Sequence, residues 1–447
     1  MNRSNLCIAV AILSFAGVPA LAVDAPVAPA VVPVAPPKLA PKQSEMAKLM
    51  LGAVQEFQAA AGDSTLNPIA RLDQLSTYRF SPETSPSIVK LFGTDRPYSV
   101  ARMPAMTGKV AFQARLQPVA YTDTGGLRIE WAAVDATVNL DAAGRTMVVQ
   151  GSWPSVLFED KNVRMSARDI SFGANKKRGL ADLWFGNAQI SIPHARMEAR
   201  TAGPDIAFDD TRIDTEFVQR GKLADVHYKV STGSISVANE QVGSFSMATR
   251  MVNLDAKMLA DANAKLEKDG KTLTIEQRQK LAVPVIKQFL SQAAASGSAL
   301  IIDDLRATYH GNTASLKGRI SVEGRGEVEL NASLVKRILA RFSVRVPVAM
   351  IKDVSGTITR KQMIAAAPGK PANEQAIAQM GQTVADTVIG QMITKGFARL
   401  ENGYLESDLE FRNGILRVNG KEVALPKPAP APAVAPAAPP PAGPQIH

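Results

Sequence analysis

Among 447 residues there is a single cysteine, Cys7, and it lies within the first 22. Once that segment is removed no thiol is left, which excludes disulfides, thiolate metal sites and a cysteine nucleophile. Aromatic residues make up only 5% of the chain, too few for the stacking platforms that hold single-stranded nucleic acid. Past the N-terminus no uncharged apolar run approaches the ~20 residues that cross a bilayer as a helix. The mature chain is therefore expected to be soluble, or peripheral to a membrane at most.

Catalytic patterns are missing as well. The histidines are His194, His227, His310 and His447, and none belongs to an H-E-x-x-H sequence. Neither G-x-S-x-G nor a Walker sequence is present. Gly324-Arg325-Gly326 lacks the third glycine of a phosphate loop. Ser87 to Lys90 and Ser333 to Lys336 match S-x-x-K, but the K-T-G and S-D-N partners of that motif do not occur. Asp209-Asp210 and Asp303-Asp304 are adjacent, and neighbours on a strand point to opposite faces. The reading is non-enzymatic, with no catalytic residue, cofactor or metal ligand assigned. Acid pairs of the glycosidase kind assemble from distant strands and stay open at this stage.

What is present begins with charge. The formal net charge is +10, scattered, with Lys176-Lys177-Arg178 the longest basic run. Diffuse positive charge suits an anionic lipid surface at least as well as a nucleic acid, and no nucleic-acid partner is expected. Arg3, the apolar run Leu6 to Val18 and Pro19-Ala20-Leu21-Ala22 form a secretory signal peptide over residues 1–22. A thiol-free exported chain belongs in an oxidising compartment, here the periplasm. An uncleaved leader would hold it at the inner membrane instead.

Residues 23–43 and the tail 426–447 are rich in Pro and Ala, holding 15 of the 29 prolines. They read as extended spacers. Between them the chain divides into a helix and an irregular segment over 44–107, a β-meander over 108–254, and a helix-and-strand lobe over 255–425. The length favours about two lobes.

The meander carries the fold class. Val110, Phe112, Ala114 and Leu116 alternate with polar residues, as do Leu127, Ile129 and Trp131, and Val226, Tyr228 and Val230. Period two marks half-buried strands. The phase shifts repeatedly: Val163, Met165 and Ala167 give way to Ile170 and Phe172, and Ala188, Ile190 and Ile192 to Ala195, Met197 and Ala199. Each shift implies a bulge or bend. The expected fold is α+β, a long, curved, mainly antiparallel β-meander with bulges and helices packed in the C-terminal half. Helices are expected over Ser44–Ala61, Ala256–Lys268, from Thr274 through Pro284, at Leu334–Leu339, and from the Asn373 cap to Lys395-Gly396. Residues 62–107, with five prolines, read as loops and short strands.

Three Asn-Gly pairs follow the last helix, at Asn402-Gly403, Asn413-Gly414 and Asn419-Gly420, each a hairpin signal. The sequence around them, Gly403-Tyr404, Asn413-Gly414-Ile415-Leu416 and Val418-Asn419-Gly420-Lys421, resembles the C-terminal signature of the YdgA-like family of Gram-negative envelope proteins. Val252-Asn253-Leu254-Asp255, Asp304-Leu305 before Gly311, and Val346-Pro347 extend the likeness over roughly residues 225–425. The resemblance implies an exported, envelope-associated protein with no established biochemical activity. Family members carry an N-terminal hydrophobic anchor, from which this chain departs in its cleavage site and proline-rich tails.

Two functional expectations follow. One is a carrier holding a lipid or another apolar envelope ligand in a curved sheet, with Phe112, Leu116, Ile129 and Trp131 as the apolar ligand face. The other is a structural or assembly factor that engages an envelope protein through the sheet surface and the proline-rich tails.

Overall fold

The computed structural model describes residues 52–54, 56–57, 60–61, 66–104, 107–201, 203–261, 264, 290–324, 332–366 and 373–423. The leader, both tails and the helix expected from Thr274 through Pro284 lie outside this set, apart from Leu290 onward.

Eighteen strands join in one sheet. They are β1 (Tyr98–Met103), β2 (Lys109–Leu116), β3 (Val119–Thr122), β4 (Arg128–Trp131), β5 (Val134–Asp141), β6 (Thr146–Glu159), β7 (Val163–Arg178), β8 (Trp184–Ala199), β9 (Ile206–Arg220), β10 (Leu223–Val237), β11 (Glu240–Asp255), β12 (Ala299–Tyr309), β13 (Asn312–Val322), β14 (Ile338–Pro347), β15 (Arg399–Glu401), β16 (Tyr404–Arg412), β17 (Ile415–Val418) and β18 (Lys421–Val423). Every pairing is antiparallel. From β5 to β14 each strand pairs with the next. β2 and then β1 extend the sheet beyond β5, and β16, β17 and β18 extend it beyond β14. The short β3–β4 hairpin lies beside the far end of β6. The sheet thus runs without a break across residues 254–255, where two lobes would have parted.

The phase shifts have a shared structural cause. Pro154, Asp169, Pro193, Asp210 and Gly233 fall at unpaired positions between matched flanks on β6 to β10, one residue per strand except between β7 and β8, where Ile170 and Ile192 are unpaired too, side by side across the sheet. Proline cannot donate to a ladder, and Asp169 and Asp210 take left-handed φ values of 57° and 54°, which Asp tolerates better than most residues. Each strand is irregular at the same line, so the register survives while the faces exchange. Ala167 and Phe172, of opposite parity, accordingly touch one core.

Residues 62–107 depart from expectation. α1 (Pro68–Leu75) and α2 (Ser85–Phe92) are helices, each with proline in its first turn. There the missing N–H has no partner to lose and the fixed φ favours the helix. Asn67 caps α1 through Ala70 N–H. These helices lie on the sheet, and Leu72, Leu75 and Leu91 join Phe112, Val138, Val149, Phe172 and Ile190 in the principal core. Phe57, Tyr78, Phe80 and Tyr98 close its outer end with ring centroids 4.8–6.4 Å apart. Glu56 locks that end, accepting from Tyr78 Oη at 2.8 Å and from Ser81 N and Oγ at 2.6 and 2.9 Å. Burial pushes its carboxyl up, but hydrogen bonding from Thr84, Ser81 and Tyr78 outweighs it and holds the group below its ordinary range.

In the C-terminal half, α3 (Ala332–Arg337) leads directly into β14. α4 (Val348–Ala366) and α5 (Glu374–Thr394) form a hairpin. No capping residue in the sequence announces α4. α5 matches its signals: Asn373 Oδ1 accepts from Ala376 N–H at 3.0 Å, and Gly396 takes φ 74° after Lys395. α4 and α5 cross where a Cβ on Gly381 would fall 2.7 Å from the Gly356 Cα. All three Asn-Gly pairs adopt positive φ at both residues and close two-residue turns.

Candidate functional site

Phe112, Ile129 and Trp131 are 1%, 2% and 8% exposed, and Leu116 packs half-buried against the same cluster. Trp131 meets Phe92 and Trp153 edge to face at 5.7 and 6.2 Å, and its indole N–H donates to the Gln117 carbonyl at 3.1 Å. The ligand face expected at these four residues is therefore corrected: it is filled core, because α1 and α2 pack over it through Leu72, Leu75 and Leu91.

The same apolar rows continue beyond that cover. Following the register from β5, one row reads Val138, Val149, Ala174, Ala188, Thr215, Tyr228, Thr249, Ile302, Gly318, Phe342, Leu409 and Val418. A second runs through Phe172, Ile190, Ile213, Val230, Met247, Leu305, Leu316 and Val344. Up to β8 these side chains are buried. From β10 onward they are half-buried, apart from exposed Tyr228 and buried Val418. Leu300, from the next row, is exposed too. The Phe342 ring lies over Gly318, where a Cβ would approach within 2.2 Å of it. This open apolar face crosses β10, β11, β12, β13, β14, β16 and β17, roughly 29 Å at the ~4.8 Å spacing of strands.

The other face of β6 to β12 is polar and carries an open groove of about 880 Å³. Asp303 is the bulged residue between the pairs Ala248–Asp304 and Thr249–Ile302. Arg250 grips it bidentately, Nε to Oδ2 and Nη2 to Oδ1, both at 2.6 Å. That guanidinium holds the Asp303 carboxyl below the usual carboxylate range against the opposing push of burial. Arg212 Nε donates to both oxygens of Asp214 at 2.9 Å, and its Nη2 donates to Gln189 Oε1 at 3.2 Å. His227 Nδ1 lies 3.1 Å from Glu216 Oε2. His194 pairs with Asp209 at 3.0 Å on the crease, and His310 stacks on Tyr309 in its turn. Among the described residues no group of three His, Cys, Asp or Glu could hold a metal. The groove escaped sequence reasoning because its members come from seven strands. The signal within each strand is the polar residue alternating with apolar ones, as at Gln150, Gln189, Asp214 and Lys229, which the register sets in one row.

Residues 76–426 match the family described as "Bacterial protein of unknown function (DUF945)". The chain belongs to this family. The DUF945 match begins directly after α1 and ends just past β18, so it takes in the whole sheet with both of its faces. No curated protein and no solved structure matches the chain. Among the described residues no helix is long and apolar enough to cross a membrane, which leaves strands aside.

Proposed function

We propose that this DUF945 member is a YdgA-like, exported envelope protein that holds the acyl chain of a lipid against the open apolar face of β10 to β17, without catalysis. The observation that carries the reading is the change of cover along continuous rows: the same kind of side chain is buried in the first half and left half-wet in the second. Wet apolar surface costs about 25 cal/mol per Å². An acyl chain recovers about 0.8 kcal/mol per buried methylene, so ten methylenes give about 8 kcal/mol against an association cost of ~4 kcal/mol or more. The length agrees, since one leaflet of a ~30 Å hydrocarbon core needs about 15 Å and the strip offers about twice that. Export is supported by the leader, and the YdgA-like reading by the three Asn-Gly turns and their flanks.

Protein isolated from the envelope without detergent is expected to carry phospholipid or fatty acid, seen by native mass spectrometry and solvent extraction. Tyr228→Asp and Leu300→Asp, both at positions already 36% exposed, are expected to lower occupancy while the thermal midpoint holds. Lipid-free protein that also takes up no fluorescent fatty acid overturns the carrier.

One observation favours the second reading, an assembly factor. Met380, Val384 and Val388 form a stripe on α5, each about 45% exposed, on a helix whose residues 374–394 include no Lys or Arg. The basic residues nearest the stripe, Lys352 and Arg360 of α4, are already paired with Asp386 and Glu374, which suits a protein surface better than an anionic membrane.

A further inference from the structure

We infer that the polar groove across β6 to β12 is a binding site for a neutral, polyhydroxylated ligand, a saccharide chain. It lies on the opposite face from the apolar strip, so it stands independently of the carrier reading. Its volume of about 880 Å³ falls within the range of small-molecule sites.

The chemistry of the lining selects the ligand. Apolar ligands are disfavoured, because seating one would strip water from amides and ion pairs at roughly 1–3 kcal/mol for each group left unmatched. Anions are disfavoured by charge: the carboxylates Asp214, Glu216 and Asp303 are matched one for one by Arg212, Lys229 and Arg250. Both arginines are already gripped by carboxylates, and an anion would have to displace one. Only Lys229 makes no ion pair among the described residues, and it is exposed.

Hydroxyl groups meet the opposite situation. Each hydroxyl donates and accepts, and each amide offers one acceptor and two donors. Gln150, Asn175, Asn187 and Gln189 present exposed amides on three neighbouring strands. Gln189 is already oriented, since its oxygen accepts from Arg212 and its NH₂ is left for a ligand. In the register Gly173 lies between Gln150 and Gln189, and Ala248 lies beside Lys229. These small residues leave recesses among the taller polar side chains, spaced by the ~4.8 Å of the strands and the ~6.8 Å of alternate residues. A repeating, hydroxylated chain fits such a lattice better than a compact ion does. Carboxylates held by arginine keep spare lone pairs, so they too accept from sugar hydroxyls without losing their partners.

The test applies the full-length protein to an array of neutral hexose and N-acetylhexosamine oligomers alongside sulfated glycans, at low and high salt. Neutral oligomers are expected to be retained equally at both salt concentrations. Asn187→Leu and Gln189→Leu, each at an exposed position, are expected to weaken that retention about five- to tenfold apiece with an unchanged thermal midpoint. Gln189→Asn, which keeps the amide, is expected to restore part of it. Retention of sulfated glycans alone, vanishing at high salt, overturns the inference in favour of an anion site at Lys229. Capture of no neutral glycan overturns it, as does neutral binding that neither leucine variant weakens.

Discussion

The two halves of this sheet share rows, register and residue types, and differ in what lies on top. Over β5 to β8 the row Val138, Val149, Ala174 and Ala188 is 1–6% exposed beneath α1 and α2. Over β10 to β13 its continuation, Tyr228, Thr249, Ile302 and Gly318, is not buried. Alternation in a sequence reports which way a side chain points. It does not report whether anything covers it. Cover is supplied by segments distant in sequence: residues 52–92 close the first half, whereas among the described residues the second half is covered only at its margins, by Met258 and Leu259 against Phe217 and Ala224 and by Ile389 against Leu405.

Truncating equivalent aromatic residues is the most direct way to break that contrast. Phe112→Ala, in the closed core, is expected to cost about 3–5 kcal/mol. Phe342→Ala, half-buried over Gly318, is expected to cost about half as much or less, and to expose Gly318. Urea unfolding of both variants checks it, and equal losses would mean that the second half is as fully packed as the first.

Lys176 tests the covered half from inside. It lies in the apolar row between Met147 and Gly186 and is 3% exposed. Its ammonium donates only to the Gly186 carbonyl at 3.4 Å among the described residues. Burial pushes its pKa down to about 8. Between that value and the ordinary ~10.4 of a free lysine, the unfolded chain binds a proton that the folded one does not. Stability therefore rises with pH across this window, and the full penalty applies below pH 8. Lys176→Met is expected to raise stability at pH 7 by about 2–3 kcal/mol and to flatten the rise. Measurements between pH 8 and 9.5 are cleanest, because Tyr78 and Tyr98, both pushed above their ordinary range by burial, begin to destabilise the fold once unfolded tyrosines ionise.

Much of this architecture was legible in the sequence, and the exceptions share a cause. The bends between Ala167 and Ile170 and between Ile192 and Ala195, the Asn373 cap and the three Asn-Gly turns are local signals, read from a few adjacent residues. α1 and α2 were hidden because Pro68 and Pro86 read as breakers, although a first-turn proline starts a helix. α4 was hidden by Val348, Ile351, Val354, Ile358 and Thr359, whose β-branched side chains favour strands in isolation; the contact with α5 at Gly356 overrides them. The candidate sites are non-local throughout. Phe112 reads as a ligand face until residues 52–92 are placed over it, and Gln150 meets Asp303 only through six intervening pairings.

The C-terminal hairpin sharpens the contrast at its far edge. Gly414→Val puts a β-branched residue at φ 79°, where the cost is on the order of 1–3 kcal/mol. The loss is expected to appear as faster hydrogen exchange confined to β16 and β17, with the core of β5 to β8 unchanged. Exchange that rises equally in both halves would mean that the sheet unfolds as one unit and that its unevenness of cover has no energetic counterpart.

The smallest effect separates the two faces instead of the two halves. Asp303 and Arg250 are each about a third exposed, at 34% and 36%, so solvent screens the pair and its worth is expected to stay below about 1 kcal/mol. Because Arg250 depresses the Asp303 pKa in the folded state, the pair stabilises above the unfolded carboxylate value of ~3.9 and fades as pH falls through the lower folded one. Glu56 is depressed too, but by hydrogen bonds that fasten the cover of the first half. Asp303→Asn should therefore remove a small part of the acid sensitivity and loosen only β11 and β12, whereas Glu56→Gln should loosen residues 78–81 and the helices above the core. Amide exchange at pH 3 and pH 6 distinguishes them. If Asp303→Asn instead releases the helices, the groove and the covered core are coupled through the sheet, and the two faces cannot be treated as separate sites.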